Sequence, residues 1–367
     1  MHYLVLPYFI LFLLYFIFVM HRDDDVKQIG IIYFLLIAAL FFLVAMLLQP
    51  LTGDNHAYSL HFEYIRNLKF SEMLSSISPE FGYKILNWLV GQVSSNYLVF
   101  SFTIFILFTT ILYKSIKNIY PSFEKYFVLF MFILYPYSMA YIVSGKRQGI
   151  ALVFMLLALS FFNQDKKLKG TISMIMISLF HYGSLIVIPF ITIFVLFKEK
   201  NIFKLSILVF ILSIFISFFG INELLLDNVS NYIILDPRYA VYFESEGAFK
   251  TINYEVGFRL KFVLFSSVPL ILYLLFKDKI DEKEKKRVLN WLSVYLLLNS
   301  MYHFLSAIPF NDRFGTFSWF ILPIVCYEVL RVINKQYAVL LTVIFFFIGV
   351  VLLQFYTSKY FHPLGLI

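Results

Sequence analysis

The sequence predicts an all-α polytopic membrane protein with about twelve transmembrane helices, some of them short or broken. Of its 367 residues, 61% are hydrophobic and only 14% charged, against about 45–50% and 25% in a soluble domain. Mean hydropathy is +0.82. The apolar runs are continuous rather than alternating, which argues against a β-barrel.

The first run, 3–20, has no basic residue before it and His21-Arg22 after it. A signal peptide carries its charge on the other side, so this run reads as an uncleaved helix with its N-terminus outside. A second run covers 29–48, and a long polar and aromatic segment, 49–96, follows it. Within that segment Phe81–Val93 is apolar at helical spacing but too short to cross, the signature of a helix lying at the interface. Further runs occupy 97–113, 126–142, 150–162, 171–180, 185–197, 202–220, 259–276, 288–305, 316–330 and 337–356. Segment 170–197 holds 28 residues, about 42 Å as one helix, whereas two full spans need about 40 residues. Gly183 marks a break, so two short helices are expected to meet at 181–184.

Orientation follows from Lys and Arg. The short connections 21–28, 114–125, 163–169, 198–204, 277–287 and 331–336 hold 19 of the 30 basic residues and are assigned to the cytoplasm. The larger connections 49–96 and 221–258 are then outside, as are both termini, and 1–367 reads as one integral membrane domain. The run 277–287, with six basic residues, reads as a solvated cytoplasmic loop. The cytoplasmic connections contain no Gly-rich phosphate cradle, so direct use of a cytosolic nucleotide is not expected. The net charge of +8 sets orientation and does not point to nucleic acid. Cys326 stands alone, so no internal disulfide forms. The histidines show no metal-ligand spacing, and no metal or other cofactor is expected.

The polar residues that interrupt this apolar chain fall on the outer side. Lys146 and Arg147 lie between two apolar runs, and Ser144 is placed to cap the helix they open. Cations in the first turn of a helix add to its exposed N–H groups and macrodipole, which suits a phosphate or carboxylate. The plainer reading is a charge snorkelling to headgroups, above all for Lys146. His181 ends one short helix and is a candidate base, phosphate donor or packed polar group. Asp312-Arg313 and Arg238 are candidate anion contacts, with a structural Asp–Arg salt bridge as the alternative for the former pair. Glu80 and Asp54 are candidate carboxylates, although Gly53-Asp54-Asn55 also reads as a turn. Tyr58, Tyr83 and Tyr242 are aromatic surfaces suited to stacking on sugar rings.

Taken in order, these segments resemble the EpsG family of Wzy-type polymerases, which join repeat units of bacterial exopolysaccharide, capsule or O-antigen. The resemblance rests on Gly53-Asp54-x-x-x-Tyr58, Glu80-Phe81-Gly82-Tyr83-Lys84, Arg147-Gln148-Gly149-Ile150-Ala151, and Phe180-His181-Tyr182-Gly183-Ser184 with Pro189 after it. Arg238-Tyr239-x-x-Tyr242 and Arg313 fit the same pattern. Two departures stand near Asp54: Gln49-Pro50-Leu51 replaces an expected Arg, and the Asp follows its Gly directly. The resemblance implies a GT-C-like helical fold in the bacterial cytoplasmic membrane. It also implies undecaprenyl-diphosphate-linked oligosaccharide as substrate, and flippase and chain-length-regulator proteins as partners beside membrane lipid. It assigns Arg147, His181, Glu80 and Asp54 to catalysis and Lys146, Arg238, Arg313, Tyr58 and Tyr242 to substrate binding. A lipid-linked oligosaccharide flippase and another lipid-diphosphate glycosyltransferase, such as an O-antigen ligase, are the alternatives.

Overall fold

The computed structural model describes residues 53–76, 80–122, 124–135, 138, 141, 145–198, 202–224, 256–308 and 311–333. All regular structure among them is helical. The expected spans 3–20, 29–48 and 337–356, the termini, Ser144, Arg238 and Tyr242 lie outside the described residues. The chain divides into two compact units, one of residues 1–185 and 339–367, the other of 186–338.

The described part of the first unit contains α1 (Gly53–Arg66), α2 (Phe70–Ser75), α3 (Phe81–Val93), α4 (Tyr97–Ile119), α5 (Glu124–Leu134), α6 (Lys146–Asn163) and α7 (Lys167–Phe180). α4 is 23 residues long, about 35 Å at 1.5 Å per residue, enough to cross a bilayer core. The Asn96 side chain caps it by accepting from Leu98 N–H at 2.9 Å. α6 is apolar all round because it is surrounded: nearly every residue from Gln148 to Phe162 is buried, against α4 on one side and α7 on another. α3 buries Tyr83, Lys84, Asn87 and Val90 but leaves Phe81, Leu89 and Val93 exposed, which keeps it amphipathic as expected for an interfacial helix. Asp54 and Asn55 are not in a turn: they open α1, where an acidic first-turn residue complements the helix dipole.

The 170–197 segment is broken where the sequence placed the break. α7 stops at Phe180, a 3-10 turn covers Tyr182–Ile186, and α8 runs Val187–Phe197. The second unit holds α8, α9 (Ile202–Phe218), α10 (Leu260–Phe276), a 3-10 turn at Lys277–Lys279, α11 (Glu282–Phe304) and α12 (Asp312–Arg331). α11 packs on α8, α9 and α12. Its interior is pinned by Asn299, whose Nδ2 donates to Ser266 Oγ at 2.9 Å and Ser318 Oγ at 2.8 Å. Among the described residues, Tyr97–Ile119, Leu260–Lys279 and Asp312–Arg331 are long and apolar enough to cross a membrane. Tyr182–Phe197 and Ile202–Phe218 are shorter apolar helices.

The charged run 277–287 is more than the solvated loop the sequence suggested. Its second half is the first turns of α11, and two of its side chains join an ion-pair network. Glu328, fully buried in α12, accepts from Arg287 at 2.7 Å and from Arg331 at 3.1 Å, while Arg331 also reaches Glu284 at 2.7 Å. Charge density along the chain could not reveal this, because Glu328 sits inside a run that reads as plain membrane span. Glu328→Ala would take this carboxylate from Arg287 and leave Arg331 with Glu284. It is expected to lower stability by about 2–4 kcal/mol, less than a fully buried pair because the Arg287 side chain is 38% exposed. The midpoint of thermal unfolding in detergent measures this.

Candidate functional site

The site forms where the start of α3, the start of α6 and the end of α7 converge. Two close approaches bring them together. A Cβ at Gly82 would lie only 3.0 Å from the Leu179 carbonyl oxygen, so glycine lets α3 settle against α7. A Cβ at Gly149 would collide with the Tyr141 carbonyl oxygen, so glycine also admits the chain that precedes α6. Glu80 is the N-cap residue of α3, and His181 the C-cap residue of α7. Arg147 occupies the first turn of α6, which starts after Gly145 and has no side-chain cap.

Glu80 is the centre of the cluster and is 2% exposed. Arg147 Nη1 donates to its Oε2 at 2.8 Å. Oε1 lies 3.2 Å from His181 Nδ1 and accepts the Tyr182 N–H at 3.3 Å. Burial on its own would raise the Glu80 pKa, but the His181 hydrogen bond and the Arg147 charge outweigh it and hold the carboxyl down at about 2. Because the acceptor is an ionised carboxylate, His181 presents Nδ1–H to it, which in the neutral ring leaves the lone pair on Nε2. The Arg147 side chain remains 31% exposed, and Glu80 engages only Nη1 of its fork. Tyr58, itself buried, hydrogen-bonds the Arg147 side chain and holds its ring centroid 5.7 Å from Arg147 Cζ.

The structure thus joins Arg147, Glu80, His181 and Tyr58. Asp54 is exposed on the first turn of α1 and contributes no contact to this cluster. Lys146 turns inward: it is 1% exposed, and its ammonium donates to Asn55 Oδ1, Tyr97 Oη and Ser101 Oγ. Arg313 belongs to the other unit, half-buried in the first turn of α12. His61 also reaches this region, although its sequence spacing marks it for no metal. His61 stands three residues after Tyr58 on α1, and its ring stacks on Tyr83 at 5.8 Å. Burial, and then the Arg147 charge, hold it down at about 4 and therefore neutral. The i,i+3 spacing of Tyr58 and His61 was the signal that put them on one face. Two polar atoms at the edge of the cluster, Arg147 Nε and Ser184 Oγ, are buried with no hydrogen bond. Unsatisfied buried groups are uncommon in folded proteins, and a catalytic role is one of the reasons they persist. No group of three metal-ligating side chains occurs among the described residues.

These features define a helical membrane protein with a buried Glu–Arg–His cluster at its helix ends. The sequence pattern of the EpsG family matches residues 30–364, and the chain belongs to that family. The family is associated with polysaccharide polymerases. No curated protein and no solved structure matches the chain.

The depressed Glu80 pKa fixes a pH window. A carboxyl bound more tightly as the anion stabilises the fold above its unperturbed value of 4.5, and that contribution disappears as pH falls toward 2. The difference in unfolding midpoint between the native protein and Glu80→Gln is expected to be fully present at pH 4.5 and to shrink as pH falls toward 2. Parallel thermal melts in detergent check this, and a gap that narrows already near pH 6 contradicts the ionised cluster.

Proposed function

We propose that this protein polymerises undecaprenyl-diphosphate-linked oligosaccharide repeats at the outer face of the bacterial cytoplasmic membrane. The single observation that supports this most is the Glu80 carboxylate shared by Arg147 and His181. The reaction needs a cation for a departing diphosphate and a base for a sugar hydroxyl, and the cluster supplies both in contact with one residue.

In this reading the acceptor hydroxyl oxygen attacks the anomeric carbon of the growing chain. The bond from that carbon to the diphosphate oxygen breaks, and undecaprenyl diphosphate leaves with the electron pair. The hydroxyl proton passes to His181 Nε2. Glu80 holds the ring in the tautomer that can accept it and stabilises the imidazolium that results. Arg147 meets the negative charge that develops on the diphosphate with the part of its fork that Glu80 and Tyr58 leave open. The donor is already activated by its diphosphate, so no nucleotide enters the reaction. Arg238, Arg313 and Tyr242 are proposed as further substrate contacts, and Tyr58 supports the guanidinium. Asp54 was the other carboxylate considered; its exposed position favours Glu80 for the catalytic role. Flippase and chain-length-regulator proteins are the proposed partners.

Arg147→Lys keeps the charge but loses the planar fork, and is expected to slow chain extension by about 30- to 1000-fold, as for a lost oxyanion donor. His181→Ala is expected to leave lipid-linked single repeats without long polymer while protein abundance stays normal. Single-turnover extension of lipid-linked repeats by purified protein measures both. Wild-type-like rates for folded Arg147→Ala would overturn the proposal.

A further inference from the structure

Lys146 has a different environment from Arg147, although the two are neighbours. Its ammonium is 1% exposed and meets three neutral acceptors, Asn55 Oδ1 at 2.9 Å, Tyr97 Oη at 2.6 Å and Ser101 Oγ at 2.9 Å. It also lies 4.5 Å from the Tyr97 ring centroid. These three contacts match the three N–H bonds of an ammonium, and none comes from a carboxylate. Asn55 is in the first turn of α1, and Tyr97 and Ser101 are in the first turns of α4. The amine is thereby buried beside three helix N-termini, where the helix dipoles oppose its charge, and burial holds its pKa down to about 7. For stability alone an apolar side chain of similar length would serve better.

What the arrangement does supply is a fixed first turn for α6. The N-cap of that helix is Gly145, which has no side chain to cap it, and an uncapped first turn frays. Lys146 replaces the missing cap with a tripod to two other helices. Successive side chains on a helix are about 100° apart, so tying Lys146 inward sets the direction of Arg147 toward Glu80 and Tyr58. We infer that Lys146 is a positioning residue, whose buried tripod to Asn55, Tyr97 and Ser101 aims Arg147 at the anionic part of the substrate. The inference rests on the proposed anion-binding role of Arg147.

A double-mutant cycle tests it. Lys146→Met is combined with Arg147→Ala in full-length protein, and two quantities are read: extension of lipid-linked repeats, and binding of farnesyl diphosphate as a diphosphate probe. With Arg147 present, Lys146→Met is expected to reduce kcat/KM about tenfold or more and to weaken probe binding; with Arg147→Ala it should change neither further. Ser101→Ala removes one leg of the tripod and should give a smaller loss with the same dependence on Arg147, which keeps the test open if Lys146→Met folds poorly. Equal losses in both backgrounds, or wild-type values per folded molecule for Lys146→Met and Ser101→Ala, would overturn the inference. Probe binding without chain extension in the wild type would instead sink the polymerase reading and leave the binding cycle to decide Lys146. A wild type that neither binds the probe nor extends chains overturns both.

Discussion

The ionised Glu80 carboxylate is the constraint on which the site depends. A buried carboxylate is costly unless its oxygens are paired. Here each oxygen is engaged, one by Arg147 and the other by His181 and the Tyr182 amide. Those partners come from α6 and from the α7 terminus, so satisfying one charge fixes three chain segments at once. The same pairing sets the histidine tautomer and leaves part of the arginine fork exposed. Structural and chemical roles are therefore not separable at Glu80.

The first unit divides its two adjacent cations between these roles. Arg147 is planar, carries five donors and stays partly exposed, which suits a ligand with several oxygens. Lys146 is a compact point charge with three donors, and it is enclosed by three acceptors. The second unit handles its buried charge differently. Glu328 is matched by two arginines, and Asn299 Nδ2 by the hydroxyls of Ser266 and Ser318, while Asn299 Oδ1 stays buried without a hydrogen bond.

Much of the site was legible as residue types: Arg147, His181 and Glu80 interrupt or border apolar runs in which a charge is expensive, and such residues are functional candidates by default. The break at 181–184 was legible because 28 residues are too long for one helix and too short for two full spans. Asp54 and Lys146 were harder. In the sequence Asp54 and Glu80 are both carboxylates in one polar segment, and only packing exposes the first and buries the second. Lys146 and Arg147 are adjacent cations, and only the neighbouring helices decide which of them turns inward.

The sequence by itself determined the class: a helical membrane chain, its helix at Phe81–Val93, its broken helix before Val187, and the family to which it belongs. These follow from hydropathy, helical spacing and local motifs, all properties of short stretches. Tertiary structure alone decided that Glu80 meets His181 across 101 positions and Arg147 across 67. It also decided that Glu328 joins Arg287 and Arg331, and that Lys146 closes a tripod with Asn55, Tyr97 and Ser101. Pairings of this kind depend on how helices pack, and side-chain packing between distant segments leaves no period or spacing in the chain to read.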